Sequence, residues 1–403
     1  MDQSKNHNSF FTGFITLLLL GTFLLTLPAI AKAQKDTVSN RTRIAIFSPM
    51  YLDSAFDASG SYRHGKSLPK YLTAGLEFYQ GIQLAVDSLQ KEKAPLDIYI
   101  YDTRSVKKKL ETILAGDEIK SMDLLLGYVN MNDAAQLARS AAALQIPFVN
   151  INLPNDAGVK GNPHYIILNP TLGTHCAAIY KFLQKNYALA PIYYFRKKSA
   201  TEDQLKKYFT DADKNTASVP LKIKYITLED TVTTYQLKIF LDSTKTSICV
   251  AGSLDANFSL ALARQLASLS KSYRSIIVGM PTWDKVDFNK AAYRGVEIIY
   301  SNSLYINGDN RLVQQLNNYY KVKYFSRPGD LVFSGFETIY YFSHLLSDTT
   351  ASFTNLLATK KNSLFGEIDI QPVSNKQTGE PDYYENKKLY FIKKADGAIK
   401  GVY

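Results

Sequence analysis

The chain has 403 residues, 46% of them hydrophobic and 21% charged, with a formal net charge of +11. That is enough apolar material to build two ordinary cores, which excludes disorder as the default state. The charge invites a nucleic-acid reading, but the lysines are scattered in short runs such as Lys107-Lys108-Lys109, Lys206-Lys207 and Lys387-Lys388, with no basic stripe interleaved with aromatics, so no nucleic-acid partner is expected.

Residues 1–33 read as a secretory signal peptide. A polar start with Lys5 leads into an apolar run from Phe14 to Leu25, then Pro28, then Ala31-Lys32-Ala33. The run is too short to span a bilayer, and the small residues suit a cleavage site before Gln34. No later segment is apolar enough to cross a membrane. The expected location is therefore periplasmic or secreted.

A regular alternation begins at Arg43. Strands are predicted at 43–47, 96–101, 122–127 and 146–151, and helices over 75–89, 106–115 and 132–144, the last capped by Asn132 or Asp133. The strands are continuous apolar runs, as in a parallel sheet covered on both faces. Tyr165 to Thr171 reads as a connector. A second set follows, with helices over 174–186, 202–212 and 257–270, a short one at 232–241, and strands at 192–195, 221–226, 247–252, 275–279 and 296–300. Two helices in a row, 311–324 and 333–346, need a surface to cover, which the first lobe offers if the chain crosses back. The end, 365–403, is turn-rich and strand-like. The resulting expectation is an α/β protein of two Rossmann-like lobes with parallel sheets joined by a multi-strand hinge. Residues 34–168 plus 305–362 form the first lobe, and 169–304 plus 363–403 form the second lobe and hinge tail.

Several stretches carry a resemblance. They are Gly75-Leu-Glu-Phe-Tyr-Gln-Gly-Ile-Gln-Leu-Ala-Val-Asp87, Leu126-Gly127 before an Ala-rich helix, Ile146-Pro147-Phe148-Val149, Val250-Ala251-Gly252-Ser253, Pro328 with Ser334-Gly335-Phe336-Glu337, and Phe365-Gly366. In order and spacing, from Arg43 to Tyr403, the chain resembles the type I periplasmic binding proteins, in the branched-chain amino-acid receptor branch. The resemblance implies a non-enzymatic protein without a cofactor that closes two lobes on a small polar ligand (an amino acid, sugar or peptide-like molecule) and hands it to a membrane permease. The loop Tyr128 to Asn132 departs from the family's Ser/Thr-rich sequence, which holds an amino-acid carboxylate. Outer-membrane activators of penicillin-binding proteins share the fold, so the alternative is a cell-envelope interaction or regulatory module, such as an activator of a wall-synthesis enzyme, with an envelope protein as its partner.

In such sheets ligands sit beyond the carboxyl ends of the strands. The residues there are Ser48, Tyr51, Tyr128, Asn130, Asn150 and Asn152 in the first lobe and Ser253, Asp255 and Trp283 in the second. These are the candidate ligand-binding residues. Trp283 is either a stacking wall or a core filler. The three asparagines either read ligand hydroxyls and amides or form turns. Helix starts near Gly75 and Asn132 would offer amides to an anion.

Other chemistry is excluded or weak. Gly60-Ser-Tyr-Arg-His-Gly-Lys66-Ser67 fits the P-loop letters, and Asp102 resembles a magnesium-holding strand end. The strand ends near Phe47, however, and Pro69 follows Ser67 too closely for a helix to start at Lys66. Cys176 and Cys249 sit in apolar patterns and read as buried small hydrophobes, with a disulfide permitted by export. The five histidines and two cysteines lack zinc spacing, and no metal is expected.

Overall fold

The computed structural model describes residues 41–402 except 230, 349, 360–362 and 396. The expected signal peptide lies outside these residues. Two seven-stranded sheets dominate. The first contains β1 (Thr42–Ser48), β2 (Leu96–Asp102), β3 (Leu124–Gly127), β4 (Phe148–Asn150) and β5 (Tyr165–Ile167), with β11 (Ile370–Ser374) and β12 (Pro381–Asn386) from the tail. Its order is β11-β12-β5-β4-β3-β1-β2, and only β11 runs antiparallel to its neighbour. The second contains β6 (Ile192–Arg196), β7 (Ile223–Thr227), β8 (Ser247–Ala251), β9 (Ser275–Gly279), β10 (Glu297–Asn302), β13 (Tyr390–Ala395) and β14 (Ala398–Val402), in the order β14-β13-β10-β9-β8-β6-β7. Its first five strands are parallel, and β13 and β14 are each antiparallel to the preceding neighbour.

Seven helices of thirteen or more residues cover these sheets: α1 (Lys70–Lys91), α2 (Met131–Leu144), α3 (Leu172–Tyr187), α4 (Ala200–Lys214), α5 (Ala256–Ser268), α6 (Arg311–Tyr324) and α7 (Asp330–Ser347). The strand period of two sorts the core. Ile44 and Ile46 face the layer of α1, α6 and α7, while Ala45 and Phe47 face the layer of α2. In the second sheet Cys249 and Ala251 face the side of α5, and Ile248 and Val250 face α3 and α4. Both cysteines are buried and free, Cys249 in the sheet and Cys176 in α3 on the opposite side. Burial pushes both thiols upward.

The chain does cross back. Val313, Leu316, Val332 and Phe336 of α6 and α7 lie in one cluster with Ile44 and Phe78. The α1–α7 crossing is very close. A Cβ on Gly81 would lie 2.2 Å from the Val332 carbonyl oxygen, and one on Gly335 would lie 2.4 Å from that of Phe78. Only glycine lets the two backbones meet.

Four local expectations differ from what forms. The tail does not stay with the second lobe. β12 pairs in parallel with β5 and covers the edge of the first sheet, and the Asp382 carboxylate accepts a hydrogen bond there from the Gly161 amide. Only β13 and β14 join the second sheet. The helix expected from Val106 forms only over Leu110–Leu114. The amides of Val106, Lys107 and Lys108 are taken instead by Asp53 and the Ser105 hydroxyl, a side-chain competition with helix geometry. α2 is capped by Asn130, which accepts from the Asp133 amide at 2.9 Å, not by Asn132 or Asp133. α1 starts at Lys70, so Gly75 is interior and has no free amide to give an anion. Its role is to let Pro49 approach, since a Cβ there would lie 2.3 Å from the Pro49 oxygen.

Candidate functional site

Three segments cross between the lobes, at 168–171, 303–310 and 387–389. The first and third are bonded to each other. Asn386 donates to the Leu168 carbonyl at 3.1 Å, Glu385 accepts from the Thr171 amide at 2.7 Å, and Lys387 reaches both Glu385 and Thr174. Nearby, His175 Nδ1 lies 2.8 Å from Ser301 Oγ. Burial holds that imidazole down at about 4, against the pull of Glu385, so it is neutral at ordinary pH.

Beside these crossings lies a cavity of about 430 Å³ with walls from both lobes. The first lobe supplies Tyr128, Asn152 and the face of α7 that carries Asp330, Ser334 and Glu337. The second supplies Asp284, Lys285 and, at the end of β10, Asn302, and the crossings supply Asn169 and Ser303. The segment 366–368 closes one side. Polar side chains from both lobes share this wall with apolar ones such as Ile151, Leu168 and Ile368, a mixture that can orient a small polar molecule.

Its electrostatics are set by carboxylates. Glu337 is buried, and its two oxygens accept from the Leu364 and Phe365 amides at 2.7 and 2.8 Å. Burial nevertheless outweighs those bonds and pushes the carboxyl up to about 7. Asp330 opens to the cleft, yet the surrounding protein and the Asp284 charge raise its carboxyl. Glu77 is raised in the same way, by burial and then by Asp330. Tyr128 stacks on Phe78 with centroids 5.2 Å apart, and burial and Glu77 raise its phenol.

The sequence-named residues divide. Tyr128 and Asn152 reach the cavity. Asn152 also clamps Val129, accepting from its amide at 2.9 Å and donating to its carbonyl at 3.0 Å. Asn150 is wholly buried and holds Tyr165 and Leu153. Ser48 is buried at the strand end, its hydroxyl without a bond among the described residues. Tyr51 adopts a left-handed backbone, φ 54°, where the Met50, Tyr51 and Leu52 amides all bind the Asp102 carboxylate. That use of Asp102 leaves no magnesium-type site. Asn130 is the α2 cap. Ser253 donates to Glu202 at 2.5 Å, and Asp255 caps α5 and pairs with Lys197 at 2.8 Å. Trp283 is a core residue and no cavity wall. It is 1% exposed, tilted against Phe288, and so close to Gly279 that a Cβ there would lie 2.2 Å from the indole. The P-loop letters fall in an exposed turn, with Gly60 and Gly65 at positive φ and no helix until Lys70.

Residue-level reading missed Asp284, Asp330, Glu337 and Glu367. Asp284 is the neighbour of the named Trp283, and Asp330 opens the helix after Pro328-Gly329. Both were within reach as helix-start acids. Phe365-Gly366 carries only the resemblance, and nothing local marks 366–368, which arrives from the tail, as part of a site.

No protein-family model matches the sequence, and no curated protein is similar to it. Solved structures are similar to it in three dimensions. A putative branched-chain amino acid ABC transporter protein from Rhodospirillum rubrum aligns over 90% of this chain and 100% of its own, with a TM-score of 0.64 and 10% identity. The chain has the type I periplasmic-binding fold. An ABC transporter substrate-binding protein from Desulfitobacterium hafniense, solved in complex with Leu, aligns over 90% of this chain and 100% of its own, with a TM-score of 0.53 and 11% identity. Full-length LpoA from Haemophilus influenzae aligns over 90% of this chain but 59% of its own, with a TM-score of 0.55 and 14% identity. This fold places the cavity where two lobes face each other. Among the described residues, no helix is long and apolar enough to cross a membrane.

Proposed function

We propose that this protein is an exported solute receptor, which closes its two lobes on a small polar ligand in the cavity at the crossings and presents it to a membrane permease. The observation that carries this reading is the 430 Å³ cavity with polar walls from both lobes. Closure would surround a ligand with groups contributed by each side. The site residues in this reading are Tyr128, Asn152, Asp284, Ser303, Asp330 and Ser334, with no catalytic group. A thermal-shift screen of amino acids, amines, sugars and short peptides tests it. A ligand at a hundred times its Kd adds about 2.7 kcal/mol of stability, a rise of several degrees. Export is tested by mass spectrometry of the chain recovered from the cell envelope, which should begin at Gln34.

The similarity to LpoA favours a second reading, an envelope interaction module on the same fold. That module needs no cavity ligand, so a screen without any thermal shift would support it over the receptor.

A further inference from the structure

The sign of the charge in the cavity narrows what it can hold. Asp284 from the second lobe and Asp330 from the first face each other across the opening, and Glu337 and Glu367 also line it. Glu77 stands directly behind, against Gly329, with its Oε2 2.6 Å from where a Cβ on that glycine would lie. The cations are fewer. Lys388 is taken by Glu367 at 2.8 Å. Lys394 faces Asp284 but donates to the Val286 carbonyl at 3.3 Å and lies over the ring of Tyr300. Lys285 is the one cation on the wall itself among the described residues, and Arg327, close in sequence to Asp330, does not reach the wall. With Glu337 uncharged, Asp284, Asp330, Glu367 and Glu77 oppose three lysines, which leaves one negative charge in excess. With Glu337 charged the excess is two. This stands against a chain whose overall charge is +11, so it is a local arrangement.

Two further points fix the chemistry. The end of α7 that would attract an anion already carries Asp330 in its first turn and has Glu77 beside it. Among the described residues, no three acidic, cysteine or histidine groups stand close enough to hold a metal ion. A bare cation is therefore a poor occupant of a 430 Å³ space, whereas an organic cation can fill it and meet both carboxylates.

From the cavity and its charge, we infer that the cleft binds an organic cation, a small molecule carrying an ammonium or guanidinium group in excess of its own negative charge. This rests on the receptor reading. Bringing the lobes together drives Asp284 and Asp330 toward each other, and a cation between them turns that repulsion into attraction. The ligand then favours the closed form through a contact that exists only there.

The test uses the whole chain, calorimetry and thermal shift, with L-arginine, L-lysine and putrescine as cationic probes and L-leucine, L-glutamate and glucose as controls. At least one cationic probe should bind and the controls should not. Asp330→Asn should weaken that binding by about tenfold or more, while its own unliganded melting temperature stays level or rises. Added salt should weaken binding in the wild type more than in the variant. Binding of leucine, glutamate or glucose as tight as the cations would overturn the inference and keep the receptor. Undiminished binding by the folded Asp330→Asn protein would also overturn it. Silence from these probes with a shift from another ligand in the wider screen would overturn the inference and keep the receptor, and silence in both would remove the receptor reading and this inference with it.

Discussion

Glu337→Gln isolates the energetic cost of one buried carboxyl. In the folded protein Glu337 is 8% exposed and its carboxyl stands at about 7, against 4.5 for the ordinary group. Between those two values the folded state binds the proton more tightly than the unfolded chain does. The stability tied to this group is therefore greatest below pH 4.5 and is lost as pH rises toward 7. A gap of about 2.5 in pKa corresponds to about 3 kcal/mol. Glutamine keeps one acceptor oxygen and turns an amide toward Leu364 or Phe365, so one backbone N–H loses its partner at a cost of about 1–3 kcal/mol at every pH. The constant offset and the pH-dependent part separate cleanly. Urea unfolding at pH 5.0, 6.0, 7.0 and 8.0 should show the wild type losing stability relative to the variant, by about 2–3 kcal/mol across the series. Above pH 7.5 the difference should stop changing. A stability difference that stays constant from pH 5 to 8 would refute the assignment of a raised pKa to Glu337.

The remaining predictions follow from packing and from the other buried groups. Gly81→Ala and Gly335→Ala should each destabilise by about 2–3 kcal/mol or more despite the better helix propensity of alanine, because each new Cβ meets a backbone carbonyl across the α1–α7 contact; a shift in urea midpoint measures it. Trp283→Ala should cost about 3–5 kcal/mol of stability and leave affinity for a cleft ligand, read by calorimetry on the folded fraction, nearly unchanged. His175 is held down at about 4 against 6.5, so the unfolded chain binds the extra proton, and the stability tied to this group is lost as pH falls from 6.5 toward 4; His175→Gln should flatten that part of the acid profile in thermal melts. Neither Cys176 nor Cys249 should react with a thiol reagent until urea unfolds the chain, and reductant should not move the melting temperature.

How much of this was readable in the sequence depends on the range of the interactions. The parallel strands were legible because each carries its own signature: Leu124 to Leu126 and Ile248 to Val250 are apolar on both faces and buried on both faces. The long helices were legible from their 3.6-residue stripes. Partner-dependent features were not. The segment from Val106 to Lys109 has helical composition, but its first amide goes to Asp53, 53 residues earlier, and the next two to the Ser105 hydroxyl, which Asp53 also holds. Nothing within 381–386 tells a hairpin strand of the second lobe from an edge strand beside β5, because the choice is made by the vacant edge and by Asp382 meeting Gly161. The site followed the same rule. Of the strand-end residues, Tyr128 and Asn152 line the cavity, whereas Asn150, Ser253 and Asp255 are consumed by local bonds, and a sequence shows neither which polar groups are already satisfied nor which acid from another element arrives beside them.

The division of the tail bears on how the lobes can move. Because β12 belongs to the first sheet and β13 to the second, the short link 387–389 is a load-carrying crossing as much as 168–171 is, and the two are cross-bonded by Asn386, Glu385 and Lys387. Within the first lobe the glycine-mediated contact of α1 and α7 leaves no slack, and within the second Trp283 fills the space above Gly279. Each lobe is therefore stiff, and a change in the angle between them has to be absorbed by backbone rotation in the three crossings. Asp284 and Asp330 lie beside those crossings on opposite lobes, where a small rotation changes their separation without disturbing either core. If the cleft binds the organic cation inferred above, its charge enters through that separation, and the Asp330→Asn measurement reads it.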